Sequence, residues 1–173
     1  MTILPPVNQK FILHWGEMGT RWGINRTVAQ IHALLFLSAR PLPAEDIAAA
    51  LDVARSNVST SLRELQNWGI VKVVHVMGDR RDHFESMKDV FAMFRVILDE
   101  RKRREIDPTV VLLRDCLAEA LKRPDAHVQQ RLTELVDFFQ MMTAWYEQIQ
   151  KLPAGSIVKF VKLGDRVLKM VGK

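Results

Sequence analysis

Seven side chains set out the chemistry this sequence could perform. Ser56, Asn57, Ser59, Thr60 and Arg63 crowd hydroxyls, an amide and a guanidinium into one short segment, and Arg80 and Arg81 follow Gly78 and Asp79 further on. These groups are hydrogen-bond donors and acceptors of the kind that contact phosphates and base edges; an arginine there can donate bidentately to guanine. Covalent and metal chemistry have no comparable set. The only cysteine is Cys116, and the five histidines, His14, His32, His75, His83 and His127, are scattered without zinc-ligand spacing. No phosphate-cradling glycine loop or nucleophile elbow is present. The expectation is a protein that is not an enzyme and needs no cofactor or metal.

The elements around these residues give them a platform. Phe11, Trp15 and Met18 recur at helical spacing, with Gly19 as an expected helix stop. Asn25 is a good N-cap for a second helix carrying Val28, Ile31, Leu34 and Leu35, broken by Arg40-Pro41-Leu42-Pro43. A short helix, Ala44 to Leu51, has Glu45 and Asp46 in its first turn. After the tight connection Asp52-Val53-Ala54, a helix from Arg55 to Trp68 has Val58, Leu62 and Leu65 as its hydrophobic back and Gly69 as its stop. Its front is therefore the polar set named above. The β-branched run Ile70 to Val76 reads as a strand, Gly78 to Arg81 as a hairpin tip and His83 to Ser86 as the return.

Helix, tight turn, helix, strand and basic hairpin is the order of a winged helix-turn-helix. Its second helix suits the DNA major groove, because a cylinder about 10–12 Å wide fits a groove of about 12 Å. Arginines at an exposed tip could clamp the minor groove, or could merely keep the turn soluble.

The rest of the chain reads as helices. Val90, Phe91, Phe94, Ile97 and Leu98 share a face, Asp107-Pro108 starts a helix with Val110, Leu113, Leu117 and Leu121, and Pro124 starts a long one reaching Ile149. Ile157 to Val171 is a further amphipathic segment. Trp145 and Ile149, with Ile157, Val161 and Val167, suit a helical dimer interface; the alternative is packing on the winged core of the same chain. Cys116, beside Leu113 and Leu117, is expected to be a buried apolar cysteine, the alternative being a redox sensor. Trp15, Trp22, Trp68, Trp145 and Tyr146 could form an aromatic cage, but plain core or interface roles are the better reading for most of them, and no cage is assigned.

The chain has 173 residues, of which 48% are hydrophobic and 26% charged, with a net charge of +5. That composition excludes intrinsic disorder and admits an anionic partner. No secretory signal or membrane-length apolar run is seen, so a soluble, cytoplasmic protein without membrane association is expected.

Three stretches together resemble the winged-helix core of MarR-type regulators: Pro41 to Ala48, Ser56 to Leu65, and Trp68-Gly69-Ile70-Val71. The wing Gly78 to Glu85 and the segment Arg101 to Pro108 resemble the GbsR-like branch, whose namesake responds to choline. The resemblance runs from about Asn25 to Pro108. It implies a mainly α fold with a small β-hairpin wing (α+β), a homodimer on double-stranded DNA, and a small-molecule effector, choline-like by resemblance alone. Carried over by position, Ser56, Asn57, Ser59, Thr60 and Arg63 take the recognition role and Arg80 and Arg81 the wing role. Ala54 departs from the pattern, standing where the family often has a serine N-cap. The expected organisation is a winged helix-turn-helix DNA-binding domain over 1–105, with its core at 25–87, and a C-terminal helical dimerisation and effector region over 106–173. The function expected is sequence-specific transcriptional regulation, most simply repression; the alternative is a winged helix used as a protein-interaction module.

Overall fold

The computed structural model of the chain describes residues 4–122 and 125–153. The expected helix start at Pro124 and the amphipathic segment from Ile157 to Val171 lie outside the described residues. Packing divides the chain into two compact units, 1–96 and 97–173. The border expected from sequence, at 105/106, falls like this one within continuous helix.

In the first unit, α1 (Pro6–Arg21) opens on proline, whose fixed φ and missing N–H suit the first helical turn. The expected stop at Gly19 is not observed. α1 continues to Arg21, and the left-handed residue that ends it is Gly23, at φ +74°. Gly19 instead lets two helices approach: a Cβ there would lie 2.5 Å from the Ala29 Cβ on α2 (Arg26–Leu37). Asn25 caps α2 as expected, its Oδ1 accepting from the Thr27 N–H at 2.8 Å.

Arg40 to Pro43 breaks α2 but is not simply a breaker. Leu42–Pro43 forms a short strand, β1, which pairs with Phe84 and His83 and adds a third strand to the expected hairpin. Helix α3 (Ala44–Leu51) ends at Asp52, held at φ 53°, a conformation aspartate tolerates better than bulkier residues. Helix α4 (Arg55–Asn67) then leads through Gly69, at φ +76°, into β2 (Val71–His75) and β3 (Asp82–Ser86). The sheet is antiparallel in the order β1-β3-β2, with Val73 opposite Phe84. Ile31 and Leu35 from α2, Ile47 from α3, and Val58, Leu62 and Leu65 from α4 are buried together with Ile70, Val71 and Phe84. The amphipathic pattern of α4 is thus satisfied by a core built from its neighbours, which leaves its polar face outward.

Helix α5 (Val90–Arg101) is capped by Asp89, whose Oδ1 accepts from the N–H groups of Phe91 and Ala92 at 2.9 and 3.0 Å. The expected helix start at Asp107-Pro108 is observed, though it follows the preceding helix without a break. A π-helical turn, Lys102–Ile106, carries α5 directly into α6 (Asp107–Ala120). Pro108 has no N–H for the regular helical ladder, and the wider turn preceding it takes up the mismatch, with the Asp107 N–H bonding to Lys102 C=O.

The second unit contains α6 and α7 (Ala126–Gln150), the latter capped by Asp125 through the Val128 N–H. Within 97–153, only Ala120 and Val136 are buried among the described residues. Cys116 is only half-buried and not the core residue expected. The inward stripe expected on α6 holds partly: Leu113 and Leu117 are half-buried, whereas Leu121 is 63% exposed. The hydroxyl of Tyr146 donates to Asp99 Oδ1 at 2.6 Å, and burial, with that bond, pushes its pKa up to about 12.

Candidate nucleic-acid interface

Helix α4 presents its polar residues as the sequence pattern requires. Ser56, Asn57, Thr60 and Arg63 are exposed, and Val58, Leu62 and Leu65 are sealed beneath them. Ser61, also buried, is small enough to let the helix pack closely on its support. Among the described residues, Asn57, Thr60 and Arg63 have no side-chain partner, so their donors and acceptors are free for a ligand. Ser59 differs: it is half-buried, its Oγ donates to the Arg55 carbonyl at 3.1 Å, and the same Oγ accepts from the Arg55 guanidinium.

The N-terminus of α4 is uncapped. Ala54 occupies the N-cap position and offers no side-chain acceptor, and the Ser56 hydroxyl does not replace it. First-turn amides without an internal partner, at the positive end of a helix dipole, suit an anionic oxygen such as a phosphate.

Arg55 is the residue the sequence reading missed. It stands at the first position of α4, half its side chain is exposed, and its Nε lies 3.0 Å from Glu45 Oε1 on α3. Its position at the mouth of the helix, next to the missing cap, is the signal that could have found it.

The wing divides its two arginines. Arg80 is exposed and has neither a hydrogen bond nor an ion pair among the described residues. Arg81 is engaged: its Nε and Nη2 reach the two Asp79 carboxylate oxygens at 2.6–3.1 Å, and its Nη1 lies 3.7 Å from Asp46. The Arg81 guanidinium holds the Asp79 carboxyl well below the usual carboxylate range. His83, buried beneath, sets Nδ1 2.9 Å from the Arg81 carbonyl and Nε2 3.4 Å from Asp79.

The first turn of α3 therefore touches both outward elements. Glu45 meets α4 through Arg55, and the adjacent Asp46 meets the wing through Arg81. The arrangement is an orienting frame with free donors on Asn57, Thr60, Arg63 and Arg80. Among the described residues no group of histidine, cysteine and carboxylates could hold a metal, and no helix is long and apolar enough to cross a membrane.

Comparison with known proteins agrees with this geometry. The MarR family model matches residues 22–82, which span α2, the α3–α4 pair and the wing as far as the start of β3. The HTH-type transcriptional repressor GbsR of Bacillus subtilis is 22% identical over 149 residues, covering 81% of this chain and 82% of that protein. A solved structure described as a transcriptional regulator superposes with a TM-score of 0.64 at 22% identity, covering 83% of this chain and 95% of its own. With the exposed polar face of α4 and the three-stranded wing, these likenesses make the chain similar to MarR-type winged-helix transcriptional regulators, the family model itself matching residues 22–82.

Proposed function

We propose that the protein acts as a homodimeric, sequence-specific regulator in the cytoplasm, most simply a repressor, whose α4 helices enter successive major grooves and whose wings lie over the flanking minor grooves. The observation that carries this reading is the free polar face of α4 above a sealed apolar back. In this scheme Asn57, Thr60 and Arg63 read bases, Ser56 and the uncapped amides hold a phosphate, and Ser59 and Arg55 orient the helix mouth. Arg80 contacts the backbone, and Arg81 sets the wing.

Dimerisation is supported by the apolar surface of the second unit. Phe138 (51%), Met141 (61%) and Trp145 (54%) are exposed, as are Val111 and Leu112. So much apolar exposure on paired helices marks an interaction surface. A two-fold dimer would set two recognition helices about one DNA turn apart. The region from 106 onward would then be the dimerisation part and 1–105 the DNA-reading part. A small-molecule effector, as the resemblance implies, would act on this dimer.

The test is selection of bound duplexes from a randomised pool, followed by titration at several salt concentrations. A regulator of this kind selects a two-fold symmetric site and loses affinity steeply as salt rises. Arg63→Ala should relax the base preference at one position, at a cost of about 1–3 kcal/mol against the cognate base. Recovery of no preferred sequence would refute the reading.

A further inference from the structure

The connection between β2 and β3 has an unusual outermost residue. The chain reverses through Val76–Asp79, closed by the Asp79 N–H donating to Val76 C=O at 3.1 Å, with Gly78 in the left-handed region at φ +85°. This turn leaves Met77 fully exposed, at 102% of its reference area, with Val76 40% exposed beside it. Turn tips ordinarily carry small or polar residues, because an apolar side chain there gains nothing from folding. A side chain this exposed contributes no packing to its own unit, so its chemistry is available to a partner.

The surroundings indicate which partner. Arg80, without a protein partner among the described residues, follows the turn and supplies a cation for a phosphate. Arg81 is held by Asp79 and fixes the base of the tip. Methionine is slender, unbranched and polarisable, so it adapts to an irregular slot and stacks against flat aromatic faces. A minor groove about 6 Å wide admits such a chain. An apolar tip flanked by a free arginine has the make-up of side chains that wedge between base steps from the minor groove.

We propose that Met77 is a minor-groove wedge: it enters the minor groove of duplex DNA and partly unstacks one flexible base step, so that the wing selects sequence through deformability. This inference rests on the DNA-binding reading above and adds a specificity-determining residue to it. The expected preference is for a pyrimidine–purine step beneath each wing tip, at a position where α4 makes no base contact.

The experiment uses the full chain and a duplex that it has itself selected from a randomised pool, with 2-aminopurine substituted in turn at the steps flanking the half-sites. Wild-type protein should raise the 2-aminopurine emission at one step per half-site, the signature of unstacking. Met77→Ala and Met77→Gln should abolish that rise and weaken binding about tenfold, without changing the slope of log affinity against log salt, because no phosphate contact is lost. Met77→Leu should restore both signals, and Arg80→Ala should lower the salt slope by about 1. The wedge is overturned if wild type binds its selected duplex yet Met77→Ala and Met77→Gln bind equally well, or if no step brightens. Failure of wild type to select any duplex would remove the DNA-binding reading and the wedge with it.

Discussion

Arg81 and Asp79 form the tightest ion pair of the wing, with Nη2 and Oδ2 2.6 Å apart and Nε bridging both carboxylate oxygens. The pair is nearly neutral, whereas the neighbouring Arg80 carries an uncompensated charge. Arg80→Ala should therefore cost one phosphate's share of the salt dependence, a slope change of about 1. Arg81→Ala should change the slope much less and act by loosening the wing. Fluorescence anisotropy across a salt series separates the two; equal slope changes would show that DNA phosphates displace Asp79.

The uncapped start of α4 gives a second expectation. Ala54→Ser supplies the missing acceptor and should stabilise the fold by about 0.5–2 kcal/mol. Ala54→Asp should stabilise similarly while weakening DNA binding, because its carboxylate would occupy the site proposed for a phosphate. Urea denaturation and DNA titration of both variants check this, and unimpaired binding by the aspartate variant would show that no phosphate sits there.

Gly19 tests the α1–α2 contact. Its Cβ would meet Ala29 Cβ at 2.5 Å, far inside van der Waals contact, and neither atom can rotate away. The overpacking cost of about 1–3 kcal/mol should outweigh the helix-propensity gain of about 0.5–1 kcal/mol. Gly19→Ala should accordingly lower the urea midpoint, and a raised midpoint would show that the helices can separate freely.

His32 predicts a pH dependence. Its ring is buried against Trp15 and Phe36 with no hydrogen-bond partner at Nε2, and burial, followed by the nearby Lys88 ammonium, lowers its pKa from 6.5 to about 4. Between these values the unfolded chain binds the extra proton, so stability rises with pH through that window. The contribution is complete above pH 6.5 and is lost as pH falls toward 4, about 3 kcal/mol in all. Urea unfolding at pH 7 and pH 4.5 should show a smaller difference for His32→Leu than for wild type. Identical pH profiles would mean that another group dominates.

Much of this was legible in the sequence because local signals and tertiary packing agree. Val58, Leu62 and Leu65 announce the buried side of α4 by period alone, and Gly69 its end. Where one residue type serves two purposes, the pattern misleads. Gly19 resembles a stop yet serves close approach, and the stop is Gly23. Pro108 does stand at the beginning of α6, but the π turn that joins this start to α5 left no sign in the sequence. Long-range pairing left no local trace: neither the Leu42–Phe84 strand register nor the Arg81–Asp46 contact follows from spacing. The free face of Asn57, Thr60 and Arg63 was readable, but the division of labour between Arg80 and Arg81 needed the position of Asp79 in space.

Lys88 carries one more consequence. Its ammonium donates to the carbonyls of Leu35, Phe36 and Ser38 at 2.8–2.9 Å, satisfying the last turn of α2 from 53 positions downstream of Leu35. The last acceptors of that helix are met by a residue beyond the hairpin. One side chain thereby ties the segment after the hairpin to the end of that helix. Neutralising Lys88 by acylation would strip charge from a surface site and at the same time loosen a joint in the scaffold beneath the recognition helix.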